Sequence, residues 1–157
     1  MISSKYNTKQ KQFHFKAYQE LSKLENALNF LKEENATIFQ VSILGKLTQF
    51  CSEKDIESFK DTIIVKSYWQ DRLGKTINFG TYYNIESGSV FIVGSLASTF
   101  LRQINGKSLA TLSSGPYGIF RGLGVGETDA SRYLKMLYND SYLLIIRCSK
   151  KEIERIA

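Results

Sequence analysis

A run of five apolar residues, YLLII at positions 142–146, constrains the fold more than any other feature of the sequence. A strand that is apolar on both faces belongs inside a sheet, so residues 142–148 predict a central strand covered by helices on at least one side. The spacing of the preceding residues predicts a helix over residues 127–139. Its inward stripe consists of Ala130, Tyr133, Leu134, Leu137 and Tyr138. This pair of elements indicates a fold that mixes helices and strands.

The first part of the chain contains a similar helix and strand. Leucines at helical spacing predict an amphipathic helix over residues 18–34. They are Leu21, Leu24, Leu28 and Leu31. Alternating polar and apolar residues at 12–16 favour a short strand before this helix, and the alternative is an early start of the same helix. β-Branched and aromatic residues at 37–44 predict a strand that ends near Gly45.

The middle of the chain is less regular. Residues 52–60 predict a short helix with Ser52 as its N-cap, and residues 64–73 predict a second helix. The segment 78–89 is rich in turn-forming and aromatic residues and gives no prediction. The apolar run VFIV at 90–93, between two glycines, predicts a buried strand.

Two interpretations compete for residues 96–106. Five apolar residues at helical spacing favour a helix, with Gly106 at its C-cap. They are Leu96, Ala97, Phe100, Leu101 and Ile104. The alternative is a hairpin with Asn105 and Gly106 in a type I′ turn. The helix is favoured because the apolar positions fit a period of 3.6 better than a period of 2.

Composition and charge narrow the class of protein. The 157 residues, 43% of them apolar, suit a single domain over residues 1–157. The net charge of +6 is concentrated at the two ends, and the first 16 residues contain four lysines and no acid. We therefore expect residues 1–11 to form a flexible basic tail with at most weak contact to anionic surfaces. A specific nucleic-acid-binding surface is not expected, because the rest of the chain carries no net positive charge.

Neither export nor membrane insertion is expected. The first residues lack the apolar core of a signal peptide, which predicts a cytoplasmic location. The longest uncharged stretch, residues 87–101, contains four serines and is too short for a membrane-spanning helix.

The sequence contains no pattern typical of an enzyme or a metalloprotein. Cys51 and Cys148 are 97 positions apart, and His14 is the only histidine. A zinc site and a Cys-His or Ser-His dyad are therefore not expected. We predict a protein without enzymatic activity, cofactor or metal.

The densest cluster of glycines gives one candidate binding site. Five of the eleven glycines lie within residues 115–126, ahead of a predicted helix. Backbone amides in such a glycine-rich loop can bind an anion or a small ligand. The candidate residues are Gly115, Gly118, Arg121, Gly122, Gly124 and Gly126. The interpretation that we favour is structural: the glycines serve turns and close backbone packing, and Glu127 and Asp129 in the next helix would repel a phosphate.

Several segments together resemble the bacterial heat-induced or general stress protein domain family. They are GSVFIVGSLA from Gly88, SSGPYG from Ser113, RGLGV from Arg121, ETDASRY from Glu127 and YLLI from Tyr142. The chain departs from the family pattern at Gly126, where the family has proline, and at Asp140 and Ser141, where it has two glycines. The resemblance implies a ferredoxin-like α+β sandwich: an antiparallel or mixed sheet with helices packed on one face and a variable insertion in the middle. It also implies a link to the bacterial stress response, and no catalytic residues.

These observations lead to two functional hypotheses. The first is a non-enzymatic, stress-associated domain that acts by self-association or by binding a protein partner, with a homo-oligomer expected. The second is a regulatory domain that binds a small ligand or nucleotide at residues 115–126.

Overall fold

The computed structural model describes residues 11–33, 40–47, 59–112 and 114–156. Its strands are β1 (Lys11–Tyr18), β2 (Gln40–Lys46), β3 (Phe79–Asn84), β4 (Gly88–Gly94), β5 (Gln103–Ile104), β6 (Lys107–Ser108) and β7 (Tyr142–Ser149). Its helices are α1 (Leu21–Glu33), α2 (Phe59–Leu73), α3 (Ala97–Phe100), α4 (Gly115–Gly122), α5 (Glu127–Tyr138) and α6 (Lys150–Ile156). A 3₁₀ turn, Leu109–Thr111, precedes α4. The predicted α+β class is confirmed.

Five strands form one antiparallel sheet in the order β1-β7-β2-β4-β3. β7 pairs along its whole length with β1 on one side and over residues 143–147 with β2 on the other. The prediction of an interior strand at residues 142–148 is therefore confirmed. β1 and β3 form the two edges of the sheet.

Successive strand residues point to opposite sides of this sheet, and helices cover the apolar residues on both sides. On one face, which we call the α4/α5 face, the strands pack on α3, α4 and α5. The buried residues there include Leu44, Ile92, Phe100, Phe120, Leu137 and Ile145. On the other, the α1/α2 face, the buried residues include Leu24, Leu28, Ile43, Trp69, Phe91 and Leu144.

The expectation that helices pack on one face is wrong. The succession β2-α2-β3-β4-α4/α5-β7 does have the β-α-β-β-α-β order of ferredoxin-like folds. However, α2 packs on the opposite face of the sheet from α4 and α5. The sandwich with a single helical layer, which the family resemblance implied, is not what the described residues form. None of their helices is long and apolar enough to cross a membrane.

The strongly periodic elements follow the sequence closely. α1 buries Leu24, Leu28 and Leu31, and α5 buries Ala130, Leu134 and Leu137. The segment at 12–16 is a strand, not an early start of α1, and it begins at Lys11. Lys11 pairs with Ser149, so this residue belongs to the sheet and not to the predicted basic tail.

Other predicted elements have different boundaries. The strand predicted at 37–44 is β2, and positions 37–39 lie outside the described residues. The helix predicted at 64–73 is longer and begins at Phe59. Ser52, the predicted N-cap, Cys51 and residues 1–10 also lie outside the described residues.

The favoured helix over residues 96–106 is wrong beyond its first turn. α3 ends at Phe100, and β5 and β6 form a two-residue hairpin. Asn105 has a φ of 52° and Gly106 a φ of 82°, and a type I′ turn requires positive φ at both positions. The local turn preference of Asn-Gly therefore prevails over the apolar periodicity.

The predicted glycine-rich loop is also wrong as a loop. Residues 115–122 form α4, with Pro116 in its first turn, where a missing N–H group costs no hydrogen bond. Ile119 and Phe120 are buried in the α4/α5 face. Burial of these apolar residues outweighs the low helix propensity of glycine.

Candidate functional site

The structure separates the predicted anion-site residues between a helix and a turn. Gly115, Gly118, Arg121 and Gly122 belong to α4, whereas Gly124 and Gly126 lie in the connection to α5. The amide of Gly115 donates to the carbonyl of Leu112 at 2.9 Å, and that of Gly118 to the carbonyl of Ser114 at 3.0 Å. The amide of Gly124 donates to the carbonyl of Arg121 at 3.0 Å. These three amides are already hydrogen-bonded, so they do not form a free anion cradle.

Two of these glycines have a structural role. A Cβ atom at Gly115 would clash with the carbonyl oxygen of Leu109, so glycine allows α4 to approach the 3₁₀ turn closely. Gly124 has a φ of 98°, in the left-handed region that favours glycine. The interpretation of turn geometry and close packing therefore applies to Gly115 and Gly124.

Arg121 is paired with neighbouring side chains. Its Nη1 lies 3.4 Å from Oε1 of Glu127, and both side chains are exposed. Hydrogen bonding to Tyr117 is the main cause that raises the pKa of Arg121, and Glu127 adds to it. Because Arg121 already pairs with Glu127, it is not free to pair with a bound anion.

A groove of about 830 Å³ lies beside this segment, along the exposed side of α5. Glu127, Arg132 and Lys135 are among its lining residues, together with Tyr117. Arg132 pairs with Asp129 at 3.0 Å on the same helix. The groove is a wide, charged surface and not a closed pocket with converging polar groups, which is what a small-molecule site generally needs.

In the part of the chain that the structure describes, the sheet has an unpaired edge at β3. β3 pairs with β4 in an unbroken register from Phe79 opposite Val93 to Asn84 opposite Gly88. β3 is the last strand of the sheet, so the main-chain groups on its outer side have no partner strand among the described residues. Its sequence, FGTYYN, contains no charge and no proline, and the register contains no bulge. Natural edge strands generally contain a charged residue, a proline or a β-bulge, each of which opposes pairing with another chain.

The opposite edge is protected by charge. β1 contains Lys11 and Lys16, and its sequence neighbours include Lys5 and Lys9. Lysines on an edge strand oppose association with a second copy, because like charges would lie opposite one another. The two edges of this sheet therefore differ in their capacity for strand pairing.

Packing on the α4/α5 face holds β3 in place. The buried Tyr82 ring stacks on Phe100 with centroids 6.1 Å apart, and its burial raises the pKa of the hydroxyl. A Cβ atom at Gly80 would clash with Leu101, so this strand and the chain after α3 are in close contact. Asn84, only 1% exposed, anchors the end of the strand to the 3₁₀ turn. β3 is therefore a preformed edge, which reduces the entropy that a binding partner must overcome.

Exposed apolar side chains lie at the end of β3. Tyr83 is 59% exposed and Ile85, in the turn to β4, is 78% exposed. The next residue, Glu86, accepts a hydrogen bond from the hydroxyl of Tyr138 at 3.3 Å. Burial, with a smaller effect of Glu86, raises the pKa of Tyr138 to about 12. The turn is thus tied to α5, and Tyr83 and Ile85 are left on the outside.

Two kinds of reactive site are relevant to the described residues, a metal cluster and a nucleophilic thiol. Within residues 11–33, 40–47, 59–112 and 114–156, no three His, Cys, Asp or Glu side chains come close enough together to bind a metal. The buried Cys148 is a free thiol whose pKa burial raises to about 11, so it is a poor nucleophile at neutral pH.

No protein-family model, curated protein or solved structure matches the chain. The resemblance to the stress protein family therefore stays a prediction.

Sequence reasoning missed the β3 edge completely. Residues 78–89 gave no prediction, although they contain all of β3 and its turn. A period-2 alternation is present in Tyr82, Tyr83 and Asn84, which are buried, exposed and buried in turn. That signal was too short to distinguish a strand from a turn-rich loop.

Proposed function

We propose that this protein is a non-enzymatic association domain that forms a homodimer by pairing β3 of one copy with β3 of a second copy. The observation that supports this proposal is the uncharged, bulge-free edge formed by β3. Strand addition at such an edge uses main-chain hydrogen bonds for affinity and neighbouring side chains for specificity.

Self-pairing fits the chemistry of β3 better than that of β1. A dimer with two-fold symmetry brings each edge strand against its own copy in antiparallel orientation. Two copies of FGTYYN bring no like charges together, whereas pairing of two copies of β1 would place Lys11 and Lys16 of each copy on the two joined strands. The exposed Tyr83 and Ile85 would add apolar contact at the two ends of the paired strands.

The experiment is a measurement of mass by light scattering during size-exclusion chromatography over a range of protein concentrations. We expect the parent protein to be a dimer and the Tyr83→Lys variant to be a monomer, because lysine on an edge strand opposes pairing. The matched control is Gln12→Lys, which adds the same charge to the exposed side chain of Gln12 on the β1 edge. It should remain a dimer.

Two results would contradict this proposal. One is a parent protein that stays monomeric at every concentration. The other is a Tyr83→Lys variant that keeps its native circular dichroism spectrum and still forms the parent dimer.

The second hypothesis, a small-ligand site at residues 115–126, has less support. Its amides at Gly115, Gly118 and Gly124 are already hydrogen-bonded. The role in bacterial stress and the cytoplasmic location rest on the sequence alone and stay predictions.

A further inference from the structure

A cleft of about 220 Å³ lies between β1 and α1 on the α1/α2 face, away from β3. Its floor consists of Leu144 and Ile146 on β7, and its helical wall includes Ala27 and Phe30 of α1. Lys16 and Tyr18 of β1 form the opposite wall. Lys16 lies directly opposite Leu144 in the β1 and β7 register, so the two side chains share this face of the sheet.

The apolar part of the cleft suits a flat ring. Leu144 and Ile146 are each 1% exposed, so they close the base of the cleft, and the accessible apolar surface includes Phe30 on α1, which is 41% exposed. Two aromatic residues, Tyr18 of β1 and Phe30 of α1, line the cleft and can contact a bound ring. A cavity of roughly 150 Å³ is sufficient for benzene, so this cleft can hold one ring with a short substituent.

The polar part of the cleft suits an anion. Lys16 is the only charged residue among the described side chains that line it. The amide of Asn26 and the hydroxyl of Tyr18 supply further hydrogen-bond donors at the same cleft. A carboxylate beside an ammonium group forms a charge-assisted hydrogen bond, which is stronger than one between neutral groups.

We propose that this cleft binds a small aromatic carboxylate, with the ring against Phe30, Ala27 and Tyr18 above the base formed by Leu144 and Ile146, and the carboxylate at Lys16. An apolar body with a few well-placed polar groups is the usual composition of a small-molecule site. This site is distinct from the β3 edge and does not depend on dimer formation.

Binding can be tested by calorimetric titration with phenylacetate and with its neutral counterpart, phenylacetamide. The parent protein should bind phenylacetate at least about tenfold more tightly than phenylacetamide, which corresponds to about 1.4 kcal/mol. Lys16→Met keeps most of the apolar stem but removes the charge, and it should abolish this preference. Lys11→Met is the matched control, because Lys11 is on the same strand but its side chain lies on the opposite face. It should bind as the parent does.

A second variant tests the apolar part of the cleft. Ala27→Leu adds volume at the helical wall while leaving every charge in place, and it should lower the affinity for phenylacetate at least tenfold. Thermal melts of the ligand-free variants establish that each is folded. Absence of phenylacetate binding to the parent up to about 10 mM would overturn the proposal. Equal binding by the parent, Lys16→Met and Ala27→Leu would overturn it as well.

Discussion

The side-chain amide of Asn84 donates a hydrogen bond to the carbonyl oxygen of Ala110 at 3.1 Å, joining the end of β3 to the 3₁₀ turn. The same nitrogen donates to the carbonyl of Leu112, and the side-chain oxygen accepts from the amide of Glu86. A buried asparagine with three such bonds leaves few polar groups unpaired. The edge strand and the chain before α4 are thereby fixed to each other.

Replacement of Asn84 by alanine should lower the free energy of unfolding by about 2 kcal/mol, because the buried carbonyl of Ala110 loses this donor and the amide of Glu86 loses its acceptor. Urea denaturation followed by circular dichroism measures this change. Asn78→Ala, at an exposed position just before β3, is the matched control and should stay within about 0.5 kcal/mol of the parent. Equal stability of the two variants would show that the bonds of Asn84 contribute little.

Leu144→Asp should prevent folding. Leu144 is 1% exposed on the interior strand β7, and a buried carboxylate without a partner costs several kcal/mol against a total stability of about 5–15 kcal/mol. Thr128→Asp places the same charge on the exposed side of α5 and should fold normally. Circular dichroism melts decide the matter, and a cooperative transition at the parent temperature for Leu144→Asp would contradict the burial of this residue.

Gly124→Ala and Gly118→Ala should have opposite effects on stability. Both positions have open space for a Cβ atom, but Gly124 has a φ of 98° whereas Gly118 lies inside α4. Alanine at position 124 should therefore destabilise the protein by about 1 kcal/mol, and alanine at 118 should stabilise it by about 0.5–1 kcal/mol. Neither change should depend on added phosphate. Melting curves with and without phosphate measure both effects, and a phosphate-dependent stabilisation lost in Gly124→Ala would support the anion site.

Glu25 should make stability depend on pH. It lies on α1 and accepts hydrogen bonds from Tyr68 and Arg72 of α2, with Arg72 Nη2 at 2.7 Å. The bond from Tyr68 is the main cause that lowers the pKa of Glu25 below its ordinary value of 4.5. A carboxyl with a lowered pKa in the folded state stabilises the fold above its unfolded pKa, and this contribution is lost as the pH falls through the folded pKa.

Glu25→Gln should therefore be less stable than the parent at neutral pH, and the difference should shrink as the pH falls below about 4.5. Urea denaturation of both proteins at a series of pH values measures this difference. Glu20→Gln is the control, since Glu20 is exposed and forms a surface ion pair with Lys23 at 3.6 Å. A difference between the parent and Glu25→Gln that does not vary with pH would contradict the role assigned to this carboxyl.

Strong periodicity was the part of the fold that the sequence predicted well. The apolar stripes of α1 and α5 each define one buried face, and the apolar run of β7 defines two. The interior position of β7 followed because its residues are apolar on both sides. The expectation that all helices lie on one face of the sheet was wrong, because the apolar stripe of a helix indicates that it packs on a sheet but not on which side.

The remaining features depend on tertiary contacts. α4 is helical because Ile119 and Phe120 are buried and Gly115 packs against Leu109, and neither contact is visible in local propensity. The candidate site could not be predicted for a related reason. Whether a strand lies at an edge depends on the order of strands in the sheet. The residues of β3 do not indicate that this strand has a neighbour, β4, on one side only.

The place of β7 in the sheet has a consequence for synthesis on the ribosome. β1 touches the rest of the sheet only through β7, which is made after the other six strands. Until residues 142–149 emerge, the nascent chain can assemble β2, β4 and β3, but β1 has no strand beside it. β1, the first strand made, can therefore pair only after β7, the last one, has been made. This pairing joins residues more than 120 positions apart, and such a separation slows folding. The sheet is therefore completed only when its last-made strand, β7, is available.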